Sequence, residues 1–435
     1  MSGRLVQITG RHWLKLHRTT REVPKTKKRL QRLIMNKFTT LSFALLFAAG
    51  TALAQSNDAS IDQVGDDHDA MISQTGSLND AHVLQTADAG REGSDVGTAD
   101  VTQDGSENSV NLRQRNFFGN NVANITQVGS GNSVQGTSAG SAFLQNHGLN
   151  IIDVMMEGDD NTLYSLRGEA QKNTNTLLLD ILGDGNTVGL LQEHGYADIS
   201  LTGSFNDVVL DQKANNNANR QTAYVDVTGS DNLVDVSQRG QAGTADITQN
   251  GDDNTAFVRQ NGVGNSVLIE QGVYGGATAS IADFTQIGDG NYFETKQVRS
   301  VDNRVTGTQL GDDNYYRASV RGEDNSVSMD VAGDENRGSW AISSLGWPHQ
   351  PTGNSLTLDV TGSNNYSTGS IAGDNNTVTV AQDGLGNRLG TSWYTSDGVS
   401  IAGDANSVSI GQFSDYNTAS VSVAGNSNTA TITQN

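Results

Sequence analysis

The sequence predicts an all-β protein built as a β-solenoid, and three observations carry this prediction. The chain has 435 residues, of which 35% are hydrophobic and 50 are glycine, a composition too polar for a thick core. Asparagine recurs every 11 positions, and residues alternate with period two inside each repeat. One such unit is a strand plus a turn and cannot bury its own face. We therefore expect two units, about 22 residues, in each of roughly 17 stacked layers.

The asparagine repeat runs through most of the chain. Asn254 and Asn265 are 11 positions apart. The same step relates Asn121 to Asn132, Asn150 to Asn161, Asn175 to Asn186, Asn206 to Asn217, Asn303 through to Asn336, Asn354 through to Asn387, and Asn406 through to Asn428. Repetition this widespread predicts that one supersecondary unit is repeated along most of the chain.

Each unit places amides and small aliphatic residues on one face. Asn186, Val188, Leu190 and Gln192 are alternate residues, so they share one side of a strand. When equivalent strands stack, identical amides form ladders that satisfy their hydrogen bonds on one another. Glycine eight positions after the asparagine supplies the turn. The residues predicted to form ladders and turns are Gln63, Gly65, Gln74, Gly76, Asn79, Gln85, Gln103, Gly105, Asn108, Gln114, Gln249, Gly251, Asn254, Gln260, Gly262, Asn265, Gln271, Gln286, Gly288, Asn291, Gln297, Gln382, Gly384 and Asn387.

Insertions interrupt the repeat and are expected to leave the rod as loops. They fall at Thr86 to Ala99, Gly136 to Gln145, Gly189 to Ile199 and Leu389 to Val399, and a further aromatic segment runs from Trp340 to Pro351. Trp340, Trp347 and His349 could form a sugar-contacting loop, or they could pack over the flank of the solenoid.

The N-terminal segment has the features of a secretory signal peptide. Residues 35–54 combine a basic start, a short apolar run and Ala52-Leu53-Ala54, which predicts cleavage between Ala54 and Gln55. Residues 1–34 are either an over-extended gene start or a long basic leader, and residues 55–435 form the predicted solenoid. A transmembrane anchor is disfavoured for residues 35–54, since their apolar run is far shorter than the roughly 20 residues a bilayer requires. No membrane span is expected in the mature part.

Charge and cysteine content exclude several kinds of partner and of chemistry. Residues 55–435 keep 16 of the 27 basic and 47 of the 48 acidic residues, a net charge of −31. This disfavours nucleic acid and anionic membranes as partners. The absence of cysteine excludes disulfides and thiolate chemistry.

From Ser280 to Gln297 the chain resembles the curlin repeat of bacterial curli subunits. Gln286-x-Gly288-x-Gly290-Asn291 carries the resemblance, as do Gln249 to Gln260, Val101 to Gln114, and Gln63 to Gln85, where His68 replaces one asparagine. The resemblance implies secretion through the periplasm and a curli-type export channel. It also implies polymerisation, with itself or other curlin subunits, into extracellular amyloid fibres (fimbriae) of the biofilm matrix that serve in adhesion.

The sequence departs from the family pattern in three ways. It has several times the usual number of repeats, it has the insertions, and Val320, Val331, Val360 and Ile371 stand where glutamine is expected. An aliphatic residue at these positions still packs inward, so the solenoid is expected to persist while the amide ladder is lost there.

Two features, the Gly-Asp-Gly-Asn stretches and the histidines, could indicate a ligand site or catalysis. Gly-Asp-Gly-Asn could be a turn, a weak cation loop or a phosphate loop, but these turns lead into strands and a phosphate loop needs a helix N-terminus. The histidines His68, His82, His147, His194 and His349 fall in different units, and no acid pair stands out. No catalytic, metal or cofactor residue is therefore assigned.

The sequence predicts a secreted structural protein, a fibre subunit or a nucleating or associated component. A non-polymerising surface adhesin with surface or polysaccharide contacts is the alternative, and a polysaccharide-acting β-helix enzyme is a remote one.

Overall fold

A computed structural model of the chain describes residues 56–87, 96–116, 119–138, 140–273, 276–344, 349–390 and 398–435. Contacts divide the chain into two units, Met1–Leu41 and Ser42–Asn435, and all of the described residues lie in the second. The predicted leader and its cleavage site at Ala54 and Gln55 lie outside the described residues.

Two parallel sheets contain most of the described residues. The strands of the first sheet are β1 (Asp58–Val64), β3 (Asp80–Ala87), β5 (Ser109–Asn116), β7 (Ser133–Gln135), β8 (Phe143–Asn146), β10 (Thr162–Ser165), β11 (Gln171–Lys172), β13 (Thr187–Glu193), β15 (Asp207–Ala214), β17 (Leu233–Gln241), β19 (Thr255–Val263), β22 (Ile281–Ile287), β24 (Arg304–Leu310), β26 (Ser326–Ala332), β28 (Ser355–Thr361), β30 (Thr377–Asp383), β33 (Ser407–Gln412) and β36 (Thr429–Gln434).

The strands of the second sheet are β2 (Asp69–Ser77), β4 (Gly97–Ser106), β6 (Asn121–Ser130), β9 (Ile151–Glu157), β12 (Thr176–Leu182), β14 (Gly195–Thr202), β16 (Gln221–Thr228), β18 (Thr244–Asp252), β20 (Ser266–Val273), β21 (Ala277–Thr278), β23 (Tyr292–Val301), β25 (Tyr315–Glu323), β27 (Arg337–Ser343), β29 (Tyr366–Ala372), β31 (Arg388–Leu389), β32 (Val399–Ala402), β34 (Thr418–Ala419) and β35 (Val421–Ala424). The described residues contain no α-helix, only a single 3-10 turn at Asn217–Asn219.

The predicted all-β solenoid is confirmed, with different dimensions. The chain alternates between the sheets and makes about 15 turns of roughly 24 residues, where the sequence predicted roughly 17 layers of about 22. Insertions in some turns account for the difference, since stacked residues lie between 20 and 31 positions apart in the first-sheet glutamine ladder. None of the described residues forms a helix of the length and apolarity that crossing a bilayer requires.

Strands stack in register, so each inner residue meets its repeat equivalent. In the pairing of β17 with β19, Val236 opposes Val258 and Gln238 opposes Gln260. The inward aliphatic residues from both sheets form one continuous buried cluster along the solenoid. The core is therefore thin but uninterrupted, as stacking of short units requires.

Large aromatic residues enter this core in the C-terminal half, each against a glycine. A Cβ on Gly369 would lie 2.1 Å from Trp340 Cζ3, and one on Gly338 would lie 2.3 Å from Tyr316 Cε1. Both distances are below van der Waals contact, so glycine leaves the space that the neighbouring ring fills.

Trp340 corrects one sequence prediction. We expected it at the start of a surface loop, but it is an inward residue of β27, 3% exposed, and its Nε1 donates to Ser367 Oγ at 3.1 Å. Its place four residues after Asn336 is an inward position of the repeat. Trp347 lies outside the described residues, and His349 is exposed and pairs with Asp374 at 3.2 Å.

Two other predictions about the repeat are wrong. Gly189 to Ile199 is not a loop, because the residues belong to β13 and β14, which are joined through His194 at a φ of 57°. Asn217 lies in the 3-10 turn rather than at a repeat position. An insertion before Gln221 displaces the repeat by four residues, so Gln221 takes that position instead. Its side-chain oxygen accepts from the Gly243 N–H at 2.8 Å.

The remaining predicted insertions are shorter than expected. Gly136 to Ala142 does separate β7 from β8, but Thr86 and Ala87 belong to β3, and residues 97–99 belong to β4. Leu389 and Val399 likewise end β31 and begin β32. The centres of these two insertions, residues 88–95 and 391–397, lie outside the described residues.

Candidate functional site: amide ladders and open strand edges

A glutamine ladder runs along the inner edge of the first sheet. Each Nε2 donates to the Oε1 of the glutamine one level further along, at 2.7–3.1 Å. The unbroken series is Gln63, Gln85, Gln114, Gln145, Gln171, Gln192, Gln212, Gln238, Gln260, Gln286 and Gln309. A second N–H on these amides reaches a backbone carbonyl, as Gln85 Nε2 does to Asp69 O at 2.9 Å. Buried amides are tolerated here because their neighbours satisfy them.

The ladder breaks where aliphatic residues replace glutamine. Val331 and Val360 occupy the next two levels of the first sheet, and the ladder resumes from Gln382 through Gln412 to Gln434. Gln382 Oε1 is buried with no hydrogen-bond partner, because the preceding level offers it only a valine. The break therefore leaves an unpaired acceptor in the core.

The second sheet carries two shorter ladders. One joins Gln74, Gln103 and Gln127, and the other joins Gln249, Gln271 and Gln297. Gln249 Oε1 is also unpaired, at the start of its ladder. Val320 and Ile371 follow in this sheet. The sheet thus depends on aliphatic packing over much of its length.

Asparagines form a second set of ladders at the strand starts. The Asn291 N–H and Nδ2 both donate to Asn265 Oδ1, at 3.0 and 3.2 Å, and Nδ2 also donates to Gly311 O at 2.7 Å. One asparagine therefore ties its own strand to the level before and to the arch after it. The predicted residues Asn79, Asn108, Asn254, Asn265, Asn291 and Asn387 are all buried.

The Gly-Asp-Gly-Asn stretch at Gly288 forms an arch between β22 and β23. Gly288 has a φ of 115°, and a Cβ there would lie 2.2 Å from Gly311 O, so this position requires glycine. Asp289 Oδ1 accepts from the Val263 N–H, and the Asp289 N–H donates to Asp312 Oδ1, both at 2.8 Å. The carboxylate thus satisfies the backbone of the neighbouring arch.

The same glycine conformation recurs at the other predicted turn positions. Gly65, Gly76, Gly105, Gly251, Gly262, Gly288 and Gly384 all have a positive φ.

Sequence reasoning missed several ladder members. Gln212 and Gln309 follow Asn206 and Asn303 by six positions, as Gln192 follows Asn186, and this spacing could have found them. Gln145 and Gln171 could not be found in this way, because insertions separate them from the preceding asparagines.

Histidines and acids do not converge in the described part of the chain. His68 Nδ1 accepts from the Gly97 N–H at 3.0 Å, and so takes the hydrogen-bonding place of an asparagine in the ladder. His82 bonds to Ser60 at 2.5 Å, and His349 pairs with Asp374. No group of three or more His, Cys, Asp or Glu side chains suited to a metal ion occurs among the described residues.

The outer face of the second sheet carries a polar patch. Tyr292 stacks on Tyr315 with ring centroids 4.6 Å apart, and its hydroxyl donates to Glu294 at 2.9 Å. Burial, together with this carboxylate, raises the pKa of Tyr292 to about 12. Glu294 also binds Arg317 and Lys296, at 2.7 and 3.7 Å. Lys296 also pairs with Glu270 at 2.8 Å, so two acidic and two basic side chains form one paired network.

The ends of the solenoid present unpaired strand edges. At one end, β1 pairs only with β3 and β2 only with β4 among the described strands. At the other end, β36 pairs only with β33, and β34 and β35 pair only with β31 and β32. Ile61 and Ile72 at the first end and Ile432 at the other remain partly exposed, although they lie on the inner face.

The direction of the backbone groups at these edges follows from the ladder. In parallel strands, a residue's N–H and C=O point to the same neighbour and alternate along the strand. The Ser407 N–H donates forward to Asn428 O at 2.8 Å, so the inner residues of β36 bond back to β33. The outer residues Thr429, Thr431 and Thr433 therefore direct their N–H and C=O groups away from the solenoid.

Comparison with known proteins agrees with this geometry. The family model of the curlin associated repeat matches residues 54–86, 242–272 and 403–435, so the resemblance drawn from the sequence is confirmed. A search of curated proteins finds no match. The three matched stretches include β1 to β3, most of β18 to β20, and β33 to β36. The chain therefore carries curlin associated repeats in the first layers, in the middle and in the last layers of its solenoid.

Proposed function

We propose that the chain is a secreted structural protein of curli-like extracellular amyloid fibres, either as a subunit or as a nucleating or associated component. The open strand edges of the two end layers carry this proposal. Each edge offers a row of unpaired backbone groups above a partly exposed inner face, which is the template for strand addition.

Complementarity between the two ends supports self-assembly. The inner residues of β36 are Ala430, Ile432 and Gln434, and β2 carries Ala70, Ile72 and Gln74 at the same strand positions. Identical residues stacked in register reproduce the contacts that already join neighbouring levels inside the chain. An added copy would therefore extend both the aliphatic core and an amide ladder.

Charge favours growth at the ends over association through the sides. The predicted mature chain has a net charge of −31, and acidic arch residues such as Asp289 and Asp312 are exposed along the flank. Like charges repel laterally. The outer residues of β34 to β36 at one end are uncharged, whereas β1 and β2 at the other end expose only Asp58, Asp62 and Asp69 as charged residues. Assembly is expected to be slower at low salt, because screening is then weaker.

The remaining parts of the proposal follow from the curlin repeats. Their presence supports a secreted or cell-surface location, reached through the periplasm and a curli-type export channel. It also supports a role in the biofilm matrix and in adhesion, with other curlin subunits as further partners. A structural role, not catalysis, is what the repeats support.

The test is polymerisation of the purified chain, followed by thioflavin fluorescence, sedimentation and electron microscopy. We expect unbranched fibres in the wild type. Thr431→Pro removes one outward N–H of β36 without touching the bonds to β33. It should lower fibre mass at least tenfold, while Thr431→Val, which keeps the N–H, should polymerise as the wild type does.

The alternatives appear as distinct outcomes. Lasting monomers with a β-rich circular dichroism spectrum would exclude the fibre subunit and leave the surface adhesin. Cleavage of a polysaccharide that one carboxylate substitution abolishes would overturn the structural role in favour of an enzyme.

A further inference from the structure

The two sheets contain different numbers of levels. Each sheet has 18 strands, but some levels are divided between two short strands. In the first sheet β7 shares a level with β8 and β10 with β11, leaving 18 − 2 = 16 levels. In the second sheet three levels are divided, by β20 and β21, β31 and β32, and β34 and β35, leaving 18 − 3 = 15 levels. The described solenoid therefore ends half a turn beyond a whole number of turns.

This half turn restricts how a second copy can stack. If the second copy kept the orientation of the first, its β1 would pair with β36. Its β2 would then lie two levels beyond β35, and one strand position of the second sheet would stay empty. Such a junction pairs one strand edge and leaves the other open.

Both sheets, however, are built from the same unit. Each has asparagine at the strand start, inward aliphatic residues, and a positive-φ glycine at the arch, as Asn254 and Asn265 illustrate in successive units. The cross-section is thus close to two-fold symmetric about the solenoid axis. A copy rotated by half a turn places a strand of the first sheet on the second, with the inner and outer faces preserved.

We propose that successive copies of this chain stack end to end with a half-turn rotation about the solenoid axis. The inference rests on the proposed function, because it assigns the geometry of that self-assembly. In this arrangement β1 of the added copy pairs with β34 and β35, and β2 pairs with β36. Every open edge is paired and no strand position stays empty.

The first of these pairings matches at the aliphatic positions but not at the amide position. Aligning Asn57 with Asn417 puts Ala59 on Ala419, Ile61 on Val421 and Gln63 on Val423. Inside the chain, the Asn417 N–H donates to Asn387 Oδ1 at 3.0 Å. The Asn57 N–H of the added copy can make the same bond to Asn417 Oδ1.

The second pairing places identical residues opposite each other at every inward position of β36, including the amide position. Aligning His68 with Asn428 puts Ala70 on Ala430, Ile72 on Ile432 and Gln74 on Gln434. Gln434 Nε2 already donates to Thr418 O at 3.0 Å, and its other N–H points along the ladder. That N–H can donate to Gln74 Oε1, which adds one amide pair to the ladder across the junction.

Engineered cysteines distinguish the two orientations, since the chain has no cysteine of its own. Ser60, Ser420 and Thr431 are all exposed outer residues. The rotated junction places Ser60 beside Ser420, and the unrotated one places it beside Thr431. Within one copy both pairs are about 70 Å apart, because some 15 levels at about 4.8 Å separate them. Any disulfide therefore joins two copies.

The experiment compares S60C/S420C with S60C/T431C after assembly of the full chain and mild oxidation. Each single-cysteine variant serves as a control. On a non-reducing gel, S60C/S420C should give a series of linked oligomers at least tenfold more abundant than S60C/T431C. Electron microscopy and sedimentation of the same samples report whether fibres formed.

The other outcomes separate this inference from the proposed function. Fibres linked through S60C/T431C, through both pairs equally, or through neither would overturn the half-turn rotation while leaving fibre formation intact. Failure of every variant and of the wild type to form fibres would overturn the proposed function and the rotation with it.

Discussion

Replacing Gln212 with valine tests how much the amide ladder stabilises the solenoid. Gln212 is buried and accepts from Gln192 Nε2 at 2.9 Å, and its own Nε2 donates to Gln238 Oε1 at 2.8 Å. Valine removes both of these bonds and the one that Gln212 Nε2 donates to Tyr196 O at 3.1 Å. It leaves the buried Gln238 oxygen without a donor and one Gln192 N–H without an acceptor.

The magnitude follows from the two orphaned groups. Each unsatisfied buried group costs about 1–3 kcal/mol, and the extra apolar carbon of valine recovers about 0.8 kcal/mol. Two such groups cost about 2–6 kcal/mol, so we expect a local destabilisation of about 1–5 kcal/mol after this recovery. Since about 1.4 kcal/mol corresponds to a factor of ten, amides of β13, β15 and β17 should exchange hydrogen roughly 5 to 4,000 times faster.

Gln309→Val is the matched control, because Gln309 is the last member of its ladder. It accepts from Gln286 at 2.8 Å, but the next level offers it Val331 in place of an amide. Only one amide neighbour is orphaned, so the expected cost is smaller, about 0–2 kcal/mol after the same recovery. Hydrogen exchange followed by mass spectrometry measures both variants locally, which suits a solenoid that does not unfold as one unit. Equal effects of the two substitutions, or no change in exchange, would refute the ladder as a source of stability.

Three further predictions concern other parts of the solenoid. Val331→Gln and Val360→Gln together close the gap between the first-sheet ladders, whereas each alone leaves an unpaired amide. Hydrogen exchange should therefore show favourable coupling of about 1–3 kcal/mol in a double-mutant cycle. Gly369→Ala places a methyl group 2.1 Å from Trp340 Cζ3 and should destabilise β27 and β29 by at least about 1–3 kcal/mol, measured by the same method. Burial raises the pKa of the Asp246 carboxyl, which disfavours its ionised form in the folded chain. That cost is present at neutral pH and absent below the unfolded value of about 3.9. Asp246→Asn should thus raise the melting temperature at pH 7 and lose this advantage near pH 3; a constant difference would contradict the assignment.

The repeat was predictable because two short-range rules fix it. Alternation puts Val188, Leu190 and Gln192 on one face, and a glycine with positive φ closes the unit. Stacking of units of equal length then places identical residues on one another, so the ladder follows from spacing alone. These features could be predicted without knowing which distant residues contact each other.

The exceptions depended on contacts between distant residues. Spacing from Asn336 puts Trp340 at an inward position, but a ring of this size fits there only because Gly369 lies opposite it. An insertion makes their separation 29 residues, where an unbroken repeat gives 22. Asn217 matched the 11-residue step but falls inside an insertion, and Gln221 restores the register. Spacing predicts a stack only where the turns keep constant length.

The distribution of glutamine along the solenoid fits a role for amides in fixing register between molecules. Inside the chain, the covalent connections already limit how one strand meets the next, so Val331 and Val360 can replace glutamine without loss of register. Between two copies no covalent connection does this. A slip by one residue would turn every inner residue outward, and a slip by two would separate the amide pair that Gln434 and Gln74 form across the proposed junction. Three of the four open edges, those carrying Gln63, Gln74 and Gln434, keep glutamine. The half-turn junction pairs Gln434 with Gln74, whereas Gln63 meets Val423, so the Gln434–Gln74 pair is the amide contact that opposes a slip between copies.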